Sequence, residues 1–205
     1  MLFLTFFVAI VINFFGYIPL GNINLTTVQI AVNRGVKQAL YFITTFSIVE
    51  GFCTYVLMRF AEWFASNEKW LYLLDWILIV VFLILGFLSL RASTHPKQVQ
   101  FRKRDSVRYG IILGIFNPMQ IPFWMIGGTY LISHHWITTA GWGLQIFSIG
   151  AAIGAFICLY LFVRFARYIQ DKFALSNRII NRSIAFVFFL LAALHIIKLI
   201  WVFFK

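Results

Sequence analysis

Apolar residues dominate six stretches of the chain, near 2–33, 38–58, 70–90, 108–133, 141–163 and 183–203, each parted from the next by a short polar or charged segment. A helix rises about 1.5 Å per residue, so about 20 apolar residues cross about 30 Å of hydrocarbon. The pattern predicts an all-α membrane protein of six transmembrane helices, the long first run counting as one interrupted span. Connections are short, which makes 1–205 a single transmembrane domain. It divides into a first three-helix repeat over 1–90, a cytoplasmic loop over 91–107 and a second three-helix repeat over 108–205.

Two short echoes support the division into halves. Phe46-Ser47-Ile48 recurs as Phe147-Ser148-Ile149, and Tyr55-x-x-x-Arg59-Phe60-Ala61 recurs as Tyr160-x-x-x-Arg164-Phe165-Ala166. The offsets are about half the chain. An odd number of spans per half turns the second half upside down relative to the first, the arrangement through which many transporters alternate access.

Composition agrees with lipid as the solvent: 62% of residues are hydrophobic, 20% aromatic and only 11% charged, too little polar surface to clothe a soluble domain. The net charge of +11 does not mark a nucleic-acid binder, because the cations sit in short loops beside apolar runs and form no long basic face. Their distribution sets orientation instead. Thirteen Lys and Arg residues fall in loops one, three and five, among them Arg34, Lys37, Lys97, Arg102, Arg104, Arg164 and Arg167; three fall on the other side, and Lys198 lies inside the last span. Basic short loops stay cytoplasmic, so both termini are expected outside. The N-terminus carries no basic n-region or A-x-A-like site, so its first run is expected to stay as a span. Trp63, Trp70, Trp136, Trp142 and Trp201 lie near span ends, where indoles straddle the membrane interface.

Candidate chemistry is concentrated at two interruptions. The first run breaks at Gly16-Tyr17-Ile18-Pro19-Leu20-Gly21-Asn22-Ile23-Asn24, and the fourth at Phe116-Asn117-Pro118-Met119-Gln120-Ile121-Pro122. Proline removes an amide donor and glycine loosens a helix, which frees backbone polar groups at membrane depth. Such groups survive only inside protein or beside a polar cavity. Breaks at matching places in two halves point to a midplane binding site, the other reading being proline kinks used for packing. Tyr17, Gln120 and Trp124 flank the breaks and are candidates to line a pocket.

Three further positions place charge where insertion is costly. Glu50 falls near the middle of the second span, where an acidic residue costs about 2.5 kcal/mol or more. It should face the bundle interior, as a proton-coupling or substrate-amine site or as a neutral carboxyl bonded to another helix. Asp75 and Lys198 lie at similar depth near the outer ends of the third and sixth spans, with His195 on the same helix face as Lys198. They read as an ion pair or an outer gate, unless Lys198 snorkels to the interface. Cys53 and Cys158 sit inside apolar runs without a C-x-x-C or ligand cluster, which argues against thiol redox chemistry and structural zinc. No G-x-S-x-G, paired aspartates or H-E-x-x-H motif of an intramembrane enzyme occurs, and His134 and His135 read as solvated loop residues.

These motifs together resemble the lysine exporter (LysE/RhtB) family of bacterial amino-acid exporters. The likeness rests on Pro19-Leu20-Gly21-Asn22, on the turn Asn33-Arg34-Gly35-Val36-Lys37-Gln38-Ala39, on Val49-Glu50, and on Gly110 and Gly114 before Asn117-Pro118. The chain departs as a divergent member would: the second proline of the first motif is absent, the central acid is Glu50 instead of aspartate, and Met119 replaces the motif lysine. The resemblance implies export of a small amino-acid-like solute by proton antiport through a six-helix inverted-repeat bundle, as a homodimer in the bacterial cytoplasmic (inner) membrane and without a cofactor. On this reading the breaks at Pro19, Gly21, Asn22, Asn24, Asn117, Pro118 and Gln120 offer backbone dipoles to a zwitterion while Glu50 exchanges a proton. Two alternatives stand beside it: a divalent metal-ion exporter of the same superfamily, for which only Glu50, Asp75 and His195 offer ligands within the spans, and a non-transport membrane assembly protein.

Overall fold

In the computed structural model, residues 1–19, 21–91, 105–172 and 177–203 are described, and every regular element among them is helical. Leu20 of the first break, Lys205 and most of the 91–107 loop, including Lys97, Arg102, Lys103 and Arg104, lie outside the described residues. The helices are α1 (Leu2–Gly16), α2 (Asn22–Arg34), α3 (Val36–Ala65), α4 (Glu68–Arg91), α5 (Asp105–Ile115), α6 (Gln120–Ser133), α7 (Gly143–Arg164), α8 (Ala166–Lys172) and α9 (Asn177–Phe203).

Four described helices are long and apolar enough to cross a membrane: α3, α4, α7 and α9. The α5–α6 pair, bent by 51° at its break, is long and apolar enough in combination to count as a fifth candidate. Helix α1 is apolar but only 15 residues long, short of the roughly 20 that a bilayer requires, so the sixth span read from the sequence needs α1 and α2 taken together across their break. A single residue joins α2 to α3. Gly35 there has φ +86°, a left-handed conformation that a side chain would strain, and it turns the chain back on itself between Arg34 and Lys37.

The helices pack crosswise between the halves. Helix α1 lies along α7, α5 and α6 lie along α3, α3 and α7 cross each other, and α4 packs chiefly on α9. Lipid tails are as apolar as leucine, so helices gain little hydrophobic free energy by meeting; close van der Waals contact must hold them. Glycines supply that closeness. Gly110 and Gly114 seat α5 on α3, where a Cβ on Gly110 would lie 2.7 Å from the Phe42 carbonyl oxygen and one on Gly114 2.8 Å from Val49. Gly150 and Gly154 do the same for α7, against the carbonyls of Phe6 and Ile10 on α1.

Three apolar clusters complete the packing. Near the end that carries Arg34 and Lys37, Ile30 of α2 packs with Phe42, Ile43 and Phe46 of α3 and Leu159 and Val163 of α7. Toward the opposite end, Ala9, Met58, Trp124, Leu144 and Phe147 join α1, α3, α6 and α7, with the Trp124 and Phe147 rings edge to face at 5.2 Å. The third cluster, of Phe64, Leu74, Leu78, Phe82, Met125, Phe188 and Ala192, holds the α4–α9 pair against α3 and α6. The two recurring tripeptides have the same environment: Phe46, Ser47, Phe147 and Ser148 are buried, while Ile48 and Ile149 are exposed. Trp63, Trp70, Trp136, Trp142 and Trp201 are all exposed. Both cysteines are free, Cys158 buried and Cys53 partly so.

Candidate translocation site

The first break is built from residues that cannot continue a helix and one that repairs the loss. Helix α1 winds down through Tyr17 and Ile18, whose amides reach back to Asn13, Phe14 and Phe15. Pro19 has no N–H to give. Asn24, buried in the first turn of α2, supplies the missing donor: its side-chain amide donates to the carbonyl of Tyr17 at 2.6 Å and of Pro19 at 3.0 Å. Gly21 is the N-cap of α2 in extended backbone, and no side chain caps that helix start. Orphan N–H groups at the head of α2 therefore carry the positive end of its dipole.

The second break is stitched by Asn117. Its side-chain oxygen accepts from the Met119 amide at 3.2 Å and its backbone oxygen from the Gln120 amide at 3.2 Å, which starts α6. Pro122 falls in the first turn of α6, where an amide hydrogen would have no intrahelical acceptor. The Asn117 side-chain amide also donates to the Tyr17 hydroxyl at 3.2 Å, tying the two breaks together.

Glu50 stands where these elements meet. It is 1% exposed, midway along α3, beside Gly51, whose missing side chain admits Ala152 and Ser148 of α7. Its Oε1 accepts from Asn13 Nδ2 at 2.8 Å, and the second hydrogen of that amide goes to the Ala151 carbonyl of α7 at 2.7 Å. Its backbone carbonyl accepts from Gln120 Nε2 at 2.9 Å, and Thr54 Oγ1 lies 3.4 Å from the same nitrogen. The second carboxyl oxygen, Oε2, is buried and makes no well-formed hydrogen bond, while the Tyr17 hydroxyl is close enough to the carboxyl to interact with it. Burying a polar oxygen without full hydrogen bonding is costly, and Glu50 also lines a cavity.

That cavity has a volume of about 440 Å³. One wall holds both breaks, with Pro19, Gly21, Asn22, Asn24, Asn117, Pro118 and Gln120, together with Asn13, Tyr17, Trp124 and Glu50. The other is formed by α4 and α9 through Leu85, Leu88, Ser89, Ile184 and Phe188. The structure thus brings Glu50 to one site with Tyr17, Pro19, Gly21, Asn22, Asn24, Asn117, Pro118, Gln120 and Trp124.

Asp75, His195 and Lys198 are not part of it. They form a separate cluster between α4 and α9, toward the opposite ends of those helices. Lys198 Nζ lies 2.8 Å from Asp75 Oδ2 and 3.0 Å from Oδ1, and His195 Nδ1 lies 2.7 Å from Oδ1. The Asp75 carboxylate is 5% exposed, whereas the Lys198 side chain is 57% exposed and reaches outward. No group of three or more His, Cys, Asp or Glu residues is placed to hold a metal ion among the described residues. His134 and His135 are exposed, His134 bonded to the Tyr130 carbonyl.

Two contributors escape a reading of the sequence. Asn13 looks like an isolated polar residue in an apolar run, yet it holds Glu50 to α1 and α7. Thr54 is one helical turn after Glu50, a spacing that gives a clue only once Glu50 is known to be central.

A polytopic membrane protein whose broken helices enclose a cavity halfway along its spans has the build of a solute translocator. The chain belongs to the LysE type translocator family, whose family model matches residues 14–199. It is accordingly a multi-pass membrane transporter of amino acids or related solutes, not an enzyme. No curated protein and no solved structure matches the chain.

Proposed function

We propose that the protein exports a small amino-acid-like solute across the bacterial cytoplasmic membrane by proton antiport, with the cavity at the two breaks as its binding site. The observation that carries this reading is the Glu50 carboxyl, buried among three helices at the edge of the cavity beside the Tyr17 hydroxyl, with Oε2 making no well-formed hydrogen bond. An intramembrane carboxylate marks an ion or substrate pathway by default. A solute ammonium and a proton compete for the same oxygen, so that loading one releases the other, and the uncapped start of α2 receives the solute carboxylate.

Crosswise packing supports an inverted repeat of two three-helix halves, with α1–α2 the counterpart of α5–α6, α3 of α7 and α4 of α9. In this arrangement the end carrying Arg34, Lys37 and Arg164 is cytoplasmic, and both termini are outside. The cavity is bordered by the cytoplasmic halves of α4 and α9, while their outer halves are sealed to α3 and α6 by the Phe64–Leu74–Met125 cluster. With that orientation the cavity lies nearer the cytoplasmic side.

The test is Glu50→Gln in proteoliposomes. In the variant a pH gradient should no longer drive accumulation, a loss of tenfold or more, and exchange of labelled for unlabelled solute should weaken as well, because the solute ammonium loses its anionic partner. Normal proton-driven transport by Glu50→Gln would remove Glu50 from the coupling step.

A further inference from the structure

The polar groups of the cavity are gathered on one side of it, among apolar neighbours that include Ile23, Leu113, Phe116, Met119 and Phe123. Every strongly polar side chain that faces it except Ser89 comes from the break side, and of its described lining residues Glu50 alone carries an ordinary charge; there is no Lys, Arg, His or second acid. The facing wall is apolar and is made chiefly of Leu85, Leu88, Ile184 and Phe188 on α4 and α9.

This division restricts the solute. A second negative charge on its side chain would lie against the apolar α4–α9 wall with no cation among the described lining residues to pair with. A second positive charge would have to be desolvated against Leu85 and Phe188 with no acid on that wall. Either leaves a buried unpaired ion, which is strongly disfavoured. A side chain of one carbon would leave much of about 440 Å³ unfilled and the apolar wall without contacts. A branched or aromatic side chain covers that wall, and each buried methylene is worth about a fourfold gain in affinity.

Resting on the proposed function, we infer that the solute is a zwitterionic amino acid with a bulky apolar side chain, its ammonium at Glu50, its carboxylate at the start of α2 and its side chain against α4 and α9.

Counterflow in proteoliposomes tests this without the coupling ion: vesicles loaded with one unlabelled amino acid take up the same compound labelled. Leucine and phenylalanine should exchange at least about tenfold faster than alanine, lysine and glutamate at equal low concentration. Lysine, glutamate or alanine exchanging as fast as leucine would overturn the apolar class and leave amino-acid transport standing. Exchange of none of the five would overturn both.

Ser89→Asp checks the side-chain placement, because Ser89 lies on the α4 wall and is already polar. This variant should lose leucine exchange at least fivefold and gain lysine exchange. An unchanged preference in a variant that melts like wild type would overturn the orientation. Should the variant fail to fold, the wild-type comparison still decides the class.

Discussion

Asn13 shows what one side chain contributes when water is absent. Both hydrogens of its amide are used, one on Glu50 and one on the Ala151 carbonyl, so α1, α3 and α7 are joined at one nitrogen. Hydrogen bonds between transmembrane helices average about 0.6 kcal/mol each, because the separated helices also find partners in the membrane. Asn13→Leu should therefore cost about 1 to 2 kcal/mol in a detergent unfolding titration. It should impair transport more than stability, since Glu50 Oε1 loses the donor that fixes its direction. Wild-type transport by Asn13→Leu would mean that Glu50 is positioned without it. Among charged residues the sequence marks Glu50 as costly, and the structure adds the three helices that surround it.

At the scale of elements, helix spacing depends on which residues are small. Gly154 lets the α1 backbone approach α7 so closely that a Cβ there would strike the Ile10 carbonyl. Gly127 on α6 has nothing within 4 Å of the same construction. Gly154→Leu should destabilise by about 1 to 3 kcal/mol through overpacking, whereas Gly127→Ala should leave stability unchanged or raise it. Thermal melts of the two purified variants separate these outcomes, and equal melting temperatures would show that α1 can yield. The breaks were legible in the chain because Pro, Gly and Asn are rare together inside an apolar run. Their repair was not, since Asn24 and Asn117 complete the backbone bonding through contacts that only the bent chain makes.

On the scale of the whole molecule, α4 and α9 form a wall that packs mainly on itself and closes one side of the cavity. The Asp75–His195–Lys198 cluster links α4 to α9 within that wall. Its lysine is half exposed, which limits the worth of the ion pair. In a double-mutant cycle, Asp75→Asn and Lys198→Gln should show a coupling of about 1 kcal/mol in unfolding. A brace predicts that solute exchange by the double variant stays within about twofold of wild type. A tenfold change with unaltered stability would instead assign the cluster to the outer gate.

The sequence by itself determined the solvent and the broad architecture. Runs of apolar residues long enough to cross a bilayer leave helices as the only way to satisfy their backbones, so an all-α membrane protein followed from composition and period alone. It also located both breaks and the buried acid, because each violates the local rule of its surroundings. Tertiary structure decided which of these violations belong together. Glu50 and the two breaks share one cavity, while Asp75 and Lys198 meet elsewhere, and Asn13 enters the site from a run that looks like plain membrane helix. The reason is physical: insertion cost is a property of a residue and its depth, readable along the chain. Pairing depends on how helices from different halves cross, and glycines that look interchangeable in sequence set that crossing only where another backbone meets them.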